Sequence, residues 1–319
     1  MAQRLNGAVE ADLDRAFDAG EIVRTHVLRP TWHFVAPEDL RWLLALTAPR
    51  IHRASAFQYR LLEIDAALAA RSRRVIERAL RGGISLTREE LGTRLGEAGI
   101  EATGPRLGYL VSHAELEGVV CSGPRRGKRH TYALVDERLA PASPRERDSA
   151  LAELARRYVA GHGPAQVADL AWWAGLTVAD ARAALESASP PLVRDQAGGR
   201  TFWLSPTSAT ARERLQSKLV QLIPNYDELL VGFRDRSDAS DPKLPAELRV
   251  AQVILGHVVV RNGLVVGRYR RRDEPGARAT ALDVELAVPL DSEERAALRG
   301  AAERFAKFLG REVTTTGVD

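Results

Sequence analysis

Cysteine and methionine are nearly missing from this sequence: Cys121 and Met1 are the single examples of each. One thiol excludes an internal disulfide, and the chain opens without the basic, apolar, small-residue order of a secretory leader, so a cytoplasmic protein is expected. No apolar run nears the roughly 18 residues that a membrane helix requires, and no membrane role is expected. Lysine is confined to Lys128, Lys218, Lys243 and Lys307, with arginine in its place as in GC-rich genomes. Arginine abundance therefore says little about partners. The net charge of +4 is small for 319 residues, so only local clusters of charge can argue for a polyanion. Also missing are a G-x-x-x-x-G-K phosphate loop, a nucleophile elbow and an H-E-x-x-H zinc pair. His26, His33 and His52 lack ligand spacing and Cys121 has no partner, so neither a metal nor a cofactor is expected.

What the sequence does contain is a globular balance, 45% apolar and 28% charged residues, with length for two or three domains. Its middle carries the same order twice: three short helices, then a two-stranded hairpin. That is the order of a winged helix. In the first copy, residues 72–140, Val75, Ile76, Ala79 and Leu80 form an apolar stripe before Gly82 and Gly83. Thr87 and Glu90 have the spacing of a capping box, and Pro105 opens a third helix with Leu107, Leu110, Val111 and Ala114 on one face. Strands at 119–121 and 131–135 follow, joined by a loop over 122–130.

The second copy, residues 145–206, begins with Leu151, Leu154, Ala155, Tyr158 and Val159 at helical spacing. Helices over 165–174 and 177–187 follow, and a wing over 192–204 turns at Gly198-Gly199. Residues 1–71 read as the end of a third module, one helix and a strand pair, with connecting helices at 39–46 and 61–70. On this reading the chain begins inside a module. From 215 to 319 the pattern is that of a β-rich domain, with strands at 220–223, 229–233, 253–260, 264–269 and 281–288 and a helix over 292–309. Asn262-Gly263 is the turn between two of them, and 235–245 reads as an exposed loop. The expected fold class is α+β: tandem winged-helix modules, the first truncated, before a β-rich C-terminal domain with a terminal helix.

The strongest local signal is the wing tip, where Arg125, Arg126, Lys128 and Arg129 sit between glycines and suit phosphate contact. The plain alternative is a solvated turn in an arginine-rich protein. Arg106 and His113 on the preceding helix can point the same way, against the repulsion of Glu115 and Glu117. The third helix of the second copy is poor in cations and reads as scaffold, and Trp172 and Trp173 as core or interface. In the segment 24–35, alternation puts Thr31, His33 and Val35 on one face and Trp32 and Phe34 on the other. With the aromatics buried, His33 projects beside Thr31, near Arg24 and Arg29. A structural role for this histidine stands beside the functional one.

The run Arg29-Pro30-Thr31-Trp32-His33-Phe34-Val35 with Glu38-Asp39 resembles the R-[GP]-T-x-H signature of the winged-helix DNA-binding family that includes the AlkZ and YcaQ glycosylases. Pro224-Asn225-Tyr226-Asp227-Glu228 with Arg234-Asp235-Arg236, the hairpin around Gly263-Leu264-Val265-Val266-Gly267, and Phe308-Leu309-Gly310 match it in order. The resemblance spans essentially the whole chain. It implies stacked winged helices and a β-rich domain around double-stranded DNA, in a bacterial, nucleoid-associated monomer that removes alkylated bases in DNA repair. The residues it brings forward are Thr31, His33 and Asp227 for catalysis, with Asn225, Tyr226, Arg24, Arg29, Arg234 and Arg236 on DNA. The family's Gln-x-Gln or Gln-x-Asp element occurs nowhere in the sequence, so DNA binding with poor excision is expected. Non-enzymatic DNA-binding regulation and a protein-binding winged-helix scaffold are the alternatives.

Overall fold

A computed structural model describes residues 4–5, 7–210, 219–240, 244, 256–273 and 279–318. Contacts divide the chain into two compact units: Asp14–Arg157 with Ala174–Pro190, here the helical unit, and Met1–Leu13 with Tyr158–Trp173 and Pro191–Asp319, here the sheet unit. The architecture is mixed α and β. No helix among the described residues is long and apolar enough to cross a membrane.

Helix α1 (Glu10–Ala19) leads into an antiparallel hairpin, β1 (Val23–Val27) and β2 (Thr31–Val35). Helix α2 (Pro37–Leu61) then runs through Pro49. The sequence suggested two shorter helices at 39–46 and 61–70. The first runs on to Leu61 because its buried stripe, Leu40, Leu44, Thr47, Ile51 and Ser55, keeps helical period through the proline, and the second begins only at Ala66. The chain turns at Glu63, whose φ is 51°, and Asp65 caps α3 (Ala66–Leu80) by accepting from the Leu68 N–H at 2.7 Å.

The short strand β3 (Leu86–Thr87) precedes α4 (Arg88–Glu97), α5 (Gly104–Leu116), β4 (Val120–Arg126), β5 (Arg129–Leu134) and α6 (Val135–Arg138). Thr87 and Glu90 form the complete capping box expected of them. Ile76, Leu80, Leu91, Leu95, Leu110 and Val111 interlock as one core, which fixes α5 beneath the hairpins. The strand order is β3-β5-β4. Strands β4 and β5 reach further than the sequence suggested, leaving only Gly127-Lys128 between them instead of a loop over 122–130.

Helices α7 (Arg147–His162), α8 (Val167–Ala174) and α9 (Val178–Glu186) precede the hairpin β6 (Val193–Ala197) and β7 (Arg200–Leu204), and the segment 145–206 contributes to both units. The turns at Gly198-Gly199 and Asn262-Gly263 carry positive φ throughout, as tight hairpins require. After α10 (Pro206–Thr210), strand β8 (Val220–Ile223), helix α11 (Glu228–Val231), β9 (His257–Arg261), β10 (Leu264–Asp273), β11 (Ala279–Leu286), α12 (Ser292–Leu309) and β12 (Glu312–Thr316) complete the chain. They give a sheet of order β12-β11-β10-β9-β8, antiparallel except for β11 and β12. Each sheet face carries a buried cluster, one of residues including Leu222, Val259, Leu282 and Leu298, the other including Val258, Val260 and Leu230.

Two expectations fail in this region. Residues 229–233 are not a strand, because Asp227 accepts from the Leu229 N–H at 2.9 Å and starts helix α11. Strand β12 was not foreseen. Residues 253–255 of the expected strand 253–260, and residues 241–243 and 245 of the expected loop, lie outside the described residues.

Candidate nucleic-acid interface

Hairpin β1–β2 sets the geometry of the helical unit's candidate site. Its register pairs Val23 with Val35, Thr25 with His33 and Val27 with Thr31. Residues opposite one another share a face, so Thr31, His33 and Val35 lie on the side of the buried Val23, Thr25 and Val27. The expected burial of Trp32 and Phe34 is therefore corrected: they are 47% and 52% exposed. The reason is that strand β1 needs its own apolar face against the core, and the pairing then assigns the outer face to β2's aromatics. Phe34 meets the edge of Phe17 at 5.9 Å, and the Arg24 guanidinium lies 4.2 Å above the Trp32 ring. Thr31 Oγ1 and His33 Nε2 are 2.9 Å apart, so these two expected residues are together. Arg29 is half-buried in the turn between the strands. That turn approaches Gly175 so closely that an added Cβ would fall 2.3 Å from the Leu28 carbonyl oxygen.

Beside Trp32 opens a cleft of about 430 Å³. Trp32, Tyr109 and Tyr132 supply aromatic wall, Arg88 and Ser112 supply polar groups, and His26 and Glu115 complete the lining. Glu115 is 1% exposed, and its Oε2 lies 2.6 Å from His26 Nδ1. A buried carboxylate is tolerated only when hydrogen-bonded, and His26 provides that bond from the neighbouring strand. Burial raises the Tyr132 pKa and keeps its phenol protonated. Burial lowers the pKa of Arg24, partly offset by Tyr132 and Glu115. On sequence alone Glu115 reads as a charge that repels phosphate, and His26 only as a histidine without ligand spacing. Their partnership joins residues 89 positions apart, and no local pattern shows it.

The cations of hairpin β4–β5 are not bare. Arg125 bonds Asp14 at 2.6 Å and Asp18 at 3.3 Å, Arg129 bonds Glu89 at 3.0 Å, and Arg126 pairs with Glu90. Arg126 holds the Glu90 carboxyl down to about 2. Arg125 and Arg126 stand in β4 and Arg129 in β5, leaving exposed Lys128 in the turn. The expected open tip of four cations is corrected accordingly: the strands continue to a two-residue turn, and acidic neighbours from α1 and α4 neutralise three of its charges. Arg106 is half-buried on α5 and donates to the Glu63 carbonyl at 3.4 Å.

In the sheet unit, Asp227 receives both terminal nitrogens of Arg4 at 2.6 Å and caps α11. Burial would raise its pKa, but Arg4 and the Leu229 N–H bring it below the ordinary value. Both oxygens are thus engaged, which makes Asp227 an anchor rather than a free base. Asn225 is exposed and its N–H donates to His257 Nδ1 at 3.0 Å. Tyr226 is 62% exposed with φ at 57°, an uncommon conformation for an aromatic residue. The Arg234 N–H bonds Asp169 while its side chain faces solvent. Arg236 braces the unit instead, donating to the Leu230 carbonyl and covering Trp172. A further basic feature was missed. Arg268, Arg270 and Arg272 line one exposed face of β10, in part paired with Glu285 and Asp283. The run Arg268-Tyr269-Arg270-Arg271-Arg272, alternating on a strand, was the signal available for it.

Residues 1–308 match the family model described as "DNA glycosylase AlkZ-like". An "Interstrand DNA cross-link repair glycosylase" of Streptomyces sahachiroi is 24% identical over 320 residues, covering 91% of this chain and 78% of that protein. Among solved structures, the Streptomyces sahachiroi DNA glycosylase AlkZ superposes with a TM-score of 0.72 at 21% identity, over 95% of this chain and 84% of that one. At that identity the likeness is one of fold.

Proposed function

Because the chain belongs to the AlkZ-like DNA glycosylase family, we propose that it binds double-stranded DNA and hydrolyses the N-glycosidic bond of an alkylated base drawn into the cleft of the helical unit. The observation that carries this reading is the buried Glu115–His26 pair facing a cleft with aromatic walls. A glycosylase acts on a base taken out of the stack, and an extruded base needs aromatic faces and hydrogen-bonding groups at its edge. Trp32 is the stacking platform, and its Arg24 partner adds a cation for the adjoining phosphate.

The chemistry asked of the protein is modest. Loss of a cationic base leaves an oxocarbenium-like sugar, which a carboxylate stabilises while a positioned water attacks. Glu115 supplies that negative charge and His26 orients the water. Thr31 and His33, brought forward by the resemblance, lie on the opposite face of the hairpin and outside the lining of the cleft, where they support the strand pair. We read α3–α5 with β4–β5, and α7–α9 with β6–β7, as winged-helix modules. In this reading Lys128, Arg125, Arg126, Arg129 and Arg106 hold phosphates around the first, and Tyr226, Asn225 and Arg234 with the β10 arginines do so in the sheet unit. Asp227 and Arg236 hold those residues in place.

DNA binding without excision is the second reading, favoured by the engagement of both Asp227 oxygens with Arg4 and the Leu229 N–H. Both are tested by incubating the whole chain with a duplex containing N7-methylguanine, measuring released base by chromatography and affinity across a salt series. Base release together with salt-dependent affinity is the expected result. Affinity without release selects the second reading, and salt-independent or absent binding overturns both in favour of a protein-binding scaffold.

A further inference from the structure

The helical unit carries a second cluster away from the cleft chemistry. His52 lies on α2, while His113 and Glu117 stand one turn apart at the end of α5. One donor atom from each lies within 4.8 Å of the others, and the two imidazole rings are 4.7 Å apart. Spacing along the chain does not join them, because they come from two different helices.

Three features make these groups more than neighbours. His52 Nδ1 is held by the Tyr59 hydroxyl at 2.9 Å, which turns Nε2 toward the cluster. Such a bond to the outer nitrogen is how proteins orient a metal-binding imidazole. That Nε2 is buried and makes no hydrogen bond, although Glu117 Oε1 is 3.1 Å away. A buried nitrogen left unsatisfied is costly unless something else engages it. The C-terminal end of α5 adds the negative end of its dipole.

We propose that His52, His113 and Glu117 form a three-ligand site for a divalent transition metal of the zinc class, bridging α2 and α5. Two imidazoles and a carboxylate with an open fourth position suit zinc or cobalt rather than magnesium or calcium. Tetrahedral bonds of about 2.0–2.1 Å place donors about 3.3 Å apart, within reach by small side-chain rotations. Arg73 Nη1, 3.8 Å from Glu117, opposes the ion, and its Nε lies 3.7 Å from Glu77, toward which the guanidinium can turn. The bound ion fastens α2 to α5 and stabilises the helical unit, whether or not the protein cleaves DNA.

The test uses the full chain stripped with chelator, dialysed against Zn(II) and assayed for bound metal, with Co(II) absorption as a report on geometry. One ion per chain is expected, retained against Mg(II), with tetrahedral Co(II) bands and a rise in melting temperature. His113→Ala and Glu117→Gln should each weaken binding by at least about tenfold, whereas Arg73→Ala should tighten it. Glu117 is partly exposed, so Glu117→Gln keeps the fold, which circular dichroism of the metal-free protein verifies. Failure to bind one ion, or an affinity unchanged in both His113→Ala and Glu117→Gln, overturns the site.

Discussion

Glu153 receives Arg156 through both carboxylate oxygens at 2.8 Å and Arg157 at 2.6 Å, and Arg157 continues to Asp39 at the start of α2. Arg156, then Arg157, lowers the Glu153 pKa to about 2 against the penalty of partial burial. A folded value below the unfolded one means that stability is present above about pH 4.5 and is lost as pH falls toward about 2. Glu153→Gln should therefore lower stability at pH 7 by at most about 1 kcal/mol, since partly exposed pairs are screened. Its deficit against the wild type should shrink through that acid window, as followed by urea denaturation at several pH values. A deficit independent of pH would assign Glu153 a packing role instead. Single residues were unevenly legible in the sequence. The caps Thr87 and Glu90 were, because a cap acts within four positions. Trp32 was half legible: alternation told which residues share its face, but only the packing of β1 decided which face is buried.

Hairpin β4–β5 shows how an element changes the meaning of its residues. Arg125 ties β4 to α1 through Asp14 and Asp18, Arg126 and Arg129 return to α4, and Lys128 extends from the turn. Phosphate must displace a carboxylate at each arginine, but not at Lys128, which has no ion pair among the described residues. Lys128→Ala should reduce the log-log salt slope of duplex binding by about 0.9. Arg126→Ala and Arg129→Ala should each reduce it less, and Arg125→Ala should also cost about 1–2 kcal/mol of stability. Salt-titrated binding and thermal melting separate these effects; an unchanged slope in Lys128→Ala would remove hairpin β4–β5 from the interface. Helices and tight turns were largely readable because their signals are local. Strand β12 was not, since its parallel partner β11 lies beyond helix α12. The short helix α11 was masked by an apolar run that suits a strand equally well.

At the scale of the molecule, family and mixed architecture follow from motifs spread along the chain, whereas the cleft follows from none of them. His26 and Glu115 meet only because α5 packs beneath the first hairpin. In the proposed function this pair does the chemistry of base removal. That role is tested most directly by single-turnover release of N7-methylguanine from a duplex, comparing the whole chain with Glu115→Gln and measuring affinity for undamaged duplex alongside. The expected rate in the variant is lower by about 100-fold to 10,000-fold, with affinity unchanged within about twofold. Equal rates in the two proteins, or no release from either, would contradict it.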